Sequence, residues 1–124
     1  MSMSMDDLEL RAFDPPCLGM PGRPSHAGRW EEDARFVEIF VTVEEGMIED
    51  VGFLTSIPET GLVCASLYCE ELLGKTLDEA WSLQDKDILD RFPEAMRRNA
   101  ALVELAGICV LAGQKAINSA KNSD

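Results

Sequence analysis

Four cysteines, Cys17, Cys64, Cys69 and Cys109, and a single histidine, His26, are the side chains of this sequence best suited to metal or sulfur chemistry. Thiolates are soft ligands that suit iron–sulfur clusters and zinc. The spacing is uneven and contains no Cys-x-x-Cys pair, which argues against a zinc ribbon or a thioredoxin-type redox motif. Cys64 and Cys69 stand in the apolar run TGLVCASLYCEELL. On a helix, positions five apart point roughly 140° from one another, so these two do not share a metal ion easily. They read as small buried hydrophobes, free cysteine being among the most buried residue types. Cys17 stands in a proline- and glycine-rich stretch and is the freer thiol. It could swing toward Cys109 and His26, giving a Cys/His/Cys set completed by Glu59 or Asp33. The alternative is a solvent-facing or packed Cys17 with His26 as an ordinary surface-loop residue.

Enzyme chemistry has little support. With one histidine there is no Ser/His/Asp set, and no phosphate-binding glycine loop stands between a strand and a helix. Gly74-Lys75-Thr76 resembles the end of such a loop, but it follows a helical run and lacks the leading glycine. It reads as a helix stop followed by a cap, and the chain is expected not to be an enzyme.

The length of 124 residues suits one domain, and 46% hydrophobic with 27% charged residues is ordinary globular composition. Acidic residues number 23 against 11 basic, for a formal net charge of -12. Such a chain repels phosphate backbones, so nucleic acid is not an expected partner. The acid excess serves solubility or, alternatively, an acidic face for a basic partner. The start, MSMSMDDLEL, lacks the basic residues and apolar core of a secretory signal, and no run reads as long enough to span a bilayer. No membrane association and a cytoplasmic location with reduced thiols are the expectations.

Residues 1–12 read as a flexible polar arm, and 13–124 as a single domain. Residues 13–28 are dense in proline and glycine and read as a surface loop. Val37, Ile39, Val41 and Val43 alternate with Phe36, Glu38, Phe40 and Thr42, the period of a strand. Glu44 to Gly46 is a polar break, and 47–55 is a second strand antiparallel to the first, with a bulge expected at Gly52. Ser56 with Glu59 forms a capping-box pattern, and Pro58 suits a first helical turn, so a helix is expected from 56–58. Leu62, Val63, Leu67, Leu72 and Leu73 supply its apolar stripe and Gly74 ends it. Thr76 with Glu79 caps a second short helix, and DKDILDRF gives a third, closed by Pro93. The tail reads as helix from about 94 to 120, with a break near Gly107. Strands first and helices after predict an α+β fold, a small antiparallel sheet with helices packed on one face.

Several segments are worded like one family. GMIEDVGFLT resembles a Gly-x-Ile-x-Asp-x-x-Phe-x-Thr strand, and GKTLDEAWSLQDKDI resembles a Gly-Lys-Ser/Thr-Leu-Asp-Glu-Ala segment ending in Asp-Ile. ICVLAGQKAI is similar to a helix carrying His-Cys-Ser-x-Leu-Ala and then Ala-Ile, and DPPCLG is a fainter echo of Asn-Pro-Arg-Asn-x-Gly. Together, over residues 14–120, the chain resembles the U-type iron–sulfur cluster scaffolds (IscU, SufU and the N-terminal domain of NifU), with the SufE/NifU-like fold. The resemblance implies a scaffold or carrier on which a cluster is built from iron and cysteine-derived sulfur. The implied partners are a cysteine desulfurase or other sulfur donor and cluster-acceptor proteins. The implied cargo is an iron–sulfur cluster or iron, with zinc as an alternative occupant.

The same resemblance marks departures. Aligned on GKTLDEA, the family's middle cysteine falls on Pro58, which offers no ligand. The first falls within SHAGRWEED, where His26 or an acid such as Asp33 is the candidate. The last is retained as Cys109, with Ile108 in place of its histidine neighbour. The Leu-Pro-Pro-Val-Lys chaperone segment is replaced by FPEAMRRN. Cys109 and Cys17 are therefore the candidate cluster ligands, with His26, Asp33 and Glu59 as further metal ligands. The alternative is a degenerate module that keeps the fold for docking onto sulfur-transfer or acceptor proteins without binding a cluster.

Overall fold

The protein was analysed as a computed structural model that describes residues 3–22 and 26–122. Residues 23–25 of the proline-rich stretch lie outside the described residues, as do 1–2 and 123–124. The alternating apolar residues of β2 (Arg35–Glu44) make it the middle strand of a sheet ordered β1-β2-β3. It pairs antiparallel with β1 (His26–Glu32) on one side and β3 (Met47–Thr55) on the other. The β2–β3 hairpin closes on Glu45 and Gly46, both with positive φ (53° and 77°), as a two-residue turn matched to the strand twist requires. The β1 strand is an addition to the two strands expected, formed by HAGRWEE. The irregularity expected at Gly52 occurs instead between Thr42 and Val43, where Val43 faces Ile48 and Glu49 is the extra residue.

One face of the sheet presents Val37, Ile39, Val41 and Phe53, all fully buried. Two helices cover it, α2 (Thr60–Leu72) and α5 (Ala100–Lys121). This is the α+β arrangement of a small antiparallel sheet with helices on one face. The α5 helix runs through Gly107 unbroken, and its start lies six residues later than the expected 94, because Glu94–Met96 forms a separate 3-10 turn. By length and composition alone α5 is long and apolar enough to cross a bilayer, with a mean hydropathy of 1.6, where the sequence was expected to hold no such run. It is instead the core helix. It approaches β1 closely because Gly28 has no side chain there; a Cβ would collide with the Ala112 carbonyl and the Ala116 amide of α5.

The short helices α3 (Leu77–Trp81) and α4 (Asp85–Leu89) lie between α2 and α5 in sequence. Thr76 and Glu79 form the expected reciprocal cap of α3. The Gly-Lys-Thr stretch is an edge piece of the sheet. The Ile48 amide donates to the Lys75 carbonyl at 2.8 Å, and the Gly74 amide donates to the Ile48 carbonyl at 2.9 Å. At the other end of the same edge, the Phe53 amide donates to the Cys17 carbonyl (3.1 Å) and the Gly19 amide donates to the Phe53 carbonyl (2.8 Å).

Residues expected as a polar arm contain a helix, α1 (Met5–Phe13), capped reciprocally by Ser4 and Asp7. It buries Leu8 and is tied to α2 by Arg11, which reaches the Ser66 hydroxyl (3.1 Å) and Glu70 (3.0 Å). Arg91 pairs with Glu70 and Glu71 at 3.1 and 2.8 Å. Burial pushes the Glu70 carboxyl up, but hydrogen bonds from Arg11 and Arg91 outweigh it and leave its pKa lowered.

Candidate functional site

Three connections meet at one end of the molecule: the β1–β2 turn, the loop from β3 into α2, and the start of α5. Side-chain hydrogen bonds weld the first two together. The Ser56 hydroxyl accepts from the Phe36 amide (2.9 Å) and donates to the Ala34 carbonyl (3.1 Å). Thr55 donates its hydroxyl to the Phe36 carbonyl at 2.7 Å and accepts from the Ile57 amide at 3.1 Å. The third is joined by the Arg35–Glu104 ion pair, 3.6 Å long. Asn99 caps α5, its side chain accepting from the Leu102 amide at 3.1 Å.

The Ser56 hydrogen bonds overturn the expected start of α2. A hydroxyl engaged with the β1–β2 turn cannot cap a helix, and α2 begins at Thr60 with Glu59 at the N-cap, φ 52°, making no side-chain cap. Pro58 therefore precedes the helix instead of standing in its first turn. Glu59 is exposed and borders a shallow cleft of about 220 Å³ between α1, the start of α2 and Met96.

The structure does not bring the sequence-nominated residues together. Asp33 sits in the β1–β2 turn with φ 53°. His26 is at the far end of the same seven-residue strand, roughly 20 Å away by strand rise, with Nδ1 3.2 Å from the Ser119 hydroxyl of α5. Cys17 is half-buried with φ 69°, its carbonyl accepting from the Phe53 amide of β3, two residues before Thr55. Cys109 is the tenth residue of α5 and fully buried, about 13 Å along the helix from the first turn that reaches the converging end. The α5 residues at that end are Ala100, Ala101 and Glu104. Among the described residues, no group of three or more His, Cys, Asp or Glu side chains is placed to hold a metal ion.

The thiols share a second property. Cys64, Cys69 and Cys109 are fully buried. Burial pushes Cys64 up to about 12. Cys69 and Cys109 are raised well above the ordinary thiol value, first by burial, then by neighbouring thiols: Cys17 and Cys109 for Cys69, and Cys64 for Cys109. The Cys69 thiol also donates to the Gly52 carbonyl at 3.6 Å. Burial and Glu70 raise Cys17, against the opposing Arg11 guanidinium, with Asp50 adding to the rise. A thiol binds metal or reacts as its anion, and each of these surroundings disfavours the anion. A water-soluble maleimide applied to the native protein at pH 7 is expected to modify Cys17 alone, and all four thiols only after unfolding. Rapid native labelling of Cys64, Cys69 or Cys109, located by peptide mass, would contradict this burial.

The hydroxyls of Thr55 and Ser56, the Arg35–Glu104 pair and the Asn99 cap build this end, and the sequence did not single them out for that purpose. The signal for Asn99 was legible as a cap residue before an apolar helical run. The roles of Thr55 and Ser56 depend on a turn twenty residues away and carry no local signature.

No family model matches the sequence, and no curated protein matches it. Solved structures do share its fold. The N-terminal part of a nitrogen-fixing NifU-like protein from Brucella abortus superposes with a TM-score of 0.72 at 14% identity, over 94% of this chain and 93% of that one. A structure described as an iron–sulfur cluster assembly scaffold of the SUF system, from Fervidobacterium islandicum, gives a TM-score of 0.59 at 12% identity, over 94% of each chain. A hypothetical protein gives 0.57 at 19% identity, over 94% and 93%. The chain has the fold of the U-type scaffold structures, as its wording resembles theirs.

Proposed function

We propose that this chain, built on the fold of U-type iron–sulfur scaffolds, serves cluster assembly as a docking protein. It binds a sulfur donor such as a cysteine desulfurase, or a cluster acceptor, without holding a cluster in thiolates of its own. The reading rests on one observation: the described residues that stand at the end where three connections converge are Asp33, Pro58, Glu59, Ala100 and Ala101, none of them a thiol or an imidazole. A cluster needs thiolates, and these residues do not fit one. Nor do they fit zinc in a closed tetrahedral site. The thiols that the sequence does carry neighbour one another around Cys69 inside the fold, three of them fully buried and Cys17 half-buried, in surroundings that disfavour the anion. The protein is a binding module and not an enzyme, working in a reducing cytoplasm where its cysteines stay free.

The test is anaerobic incubation with ferrous iron, cysteine and a cysteine desulfurase, followed by gel filtration with iron and sulfide analysis. The expected result is a complex with the desulfurase and no stoichiometric iron or sulfide on this chain. Pro58→Cys is expected to leave that unchanged, because a single added thiolate finds no second one at that end. Visible charge-transfer bands on the wild-type chain, lost in Cys17→Ser or Cys109→Ser, would instead establish the scaffold or carrier reading with a remodelled ligand set.

A further inference from the structure

The outer face of α5 carries a groove that the fold itself leaves unfilled. One wall is α5, with Val103, Gly107 and Leu111 following one another at intervals of four, so that they share one stripe. The other wall is the approach to α4, from Leu83 to Asp85. The space between them is about 500 Å³. At its centre, a Cβ built on Gly107 would meet nothing within 4 Å, so the floor is open to the helix backbone. Leu111, 51% exposed, gives it an apolar side, and Val110 closes the floor. A small residue between two larger ones on a helix is the notch into which a side-chain ridge of a second helix fits.

The rim of the groove is acidic. Asp85 stands on one wall and Glu104 on the other. Glu104 shares the exposed Arg35 at 3.6 Å, a weak surface pair that leaves the carboxylate open to a further cation. The chain as a whole holds 23 acids and 11 bases. Arg11, Arg29, Arg91 and Lys121 are already ion-paired inside the molecule. A second copy of this chain would bring another charge of -12 to the contact, which disfavours self-association there.

We propose that this groove between the start of α4 and the outer face of α5 receives a basic amphipathic helix of a partner protein. The partner's apolar ridge packs over Gly107, between Val103 and Leu111, and its lysines or arginines meet Asp85 and Glu104. This is the helix-in-groove mode of recognition. It deepens the docking reading above and rests on it for the partner's place in cluster assembly, though not for the groove itself.

The probe is a fluorescein-labelled peptide of about four helical turns, with leucines at i, i+3/i+4 and i+7 and lysines or arginines elsewhere, read by anisotropy. A peptide of the same composition with the leucine stripe scrambled is the control. The intact stripe is expected to bind about tenfold more tightly than the scrambled peptide. Gly107→Leu, which fills the floor and favours helix, is expected to remove that difference, and Leu111→Ser to reduce it. Phe13→Ser, on the exposed side of α1, leaves it unchanged. Circular dichroism confirms that each variant folds.

Equal binding of the two peptides, or Gly107→Leu binding as wild type, overturns the proposal. So does sedimentation showing that the free protein dimerises and that Gly107→Leu dissolves the dimer. The desulfurase complex separates the two readings. If it forms and survives Gly107→Leu while the peptides do not discriminate, the groove is wrong and docking in cluster assembly stands. If the peptide discriminates but no desulfurase or acceptor binds, the groove stands and its placement in cluster assembly falls.

Discussion

Gly28→Ala lowers the free energy of unfolding by about 3 kcal/mol, the upper end of what overpacking a tight contact costs, and denaturant melts will read it as a lower midpoint at an unchanged slope. The added methyl points at the Ala112 carbonyl and the Ala116 amide, which belong to the backbone of α5. A side chain in that position could rotate aside. A helix backbone must move bodily, and α5 also packs on β2, α2 and α4. Against a typical total of roughly 5–15 kcal/mol, the loss is a large fraction of the stability. Gly107→Ala, in the same helix interior but facing open space, is the internal comparison. It is expected to stabilise by up to about 1 kcal/mol through helix propensity. A neutral Gly28→Ala would mean that α5 does not lie this close to β1.

Alkaline pH is expected to lower the stability of the protein progressively, through its buried thiols. Cys64 has a folded-state pKa of about 12 against 9.0 for a free thiol, because burial disfavours the anion. Below pH 9 both states carry the proton and stability is intact. Between 9 and 12 the unfolded thiol ionises while the folded one does not, so stability falls as pH rises. Three units correspond to about 4 kcal/mol by pH 12 for this one group, as an order of magnitude. Cys69, Cys109 and Tyr68, all raised first by burial, act in the same direction. Urea melts at pH 8, 9, 10 and 11 (chosen to span about the thiol range) in the presence of reductant will show a steepening loss. Cys64→Ala will start from a lower stability and lose less of it. A flat profile across that range would place the thiols in contact with water.

The strands β2 and β3 were legible because Val37, Ile39 and Val41 recur at every second position, and because Glu45 and Gly46 are suited to a turn with two positive φ values. The cap of α3 was legible for the same reason: Thr76 and Glu79 satisfy each other locally. The β1 strand was not. HAGRWEE shows no sustained apolar alternation, and it is held as a strand by pairing with β2 and by α5 lying across Gly28. The α1 helix carried a local signal in Ser4 and Asp7, but Leu8 is its one buried residue, too little for a hydrophobic stripe to stand out. At the converging end the sequence misled in an instructive way. Ser56 and Glu59 have the spacing of a capping box, yet the Ser56 hydroxyl is claimed by the β1–β2 turn. Cys109 was placed by the Ala-Ile that follows it, and the structure puts it deep in a helix whose first turn does the reaching.

The two borders of the sheet are guarded by different means. Along β3, the chain's own backbone occupies the border at both ends, through Gly74 and Lys75 at Ile48 and through Cys17 and Gly19 at Phe53. No foreign strand can add there without first displacing hydrogen bonds that are already made. Along β1 the guard is charge: Arg29, Glu31 and Glu32 stand on a seven-residue strand whose tip turns at Asp33. Inserted charges and a short border are the means by which natural sheets resist templating one another. Concentrated solutions of this protein should therefore resist growth into fibrils. Replacing Glu31 and Glu32 by valine would strip that guard and offer β1 as a border on which strand-to-strand polymerisation can begin, past the Lys115 ammonium that holds the Arg29 carbonyl.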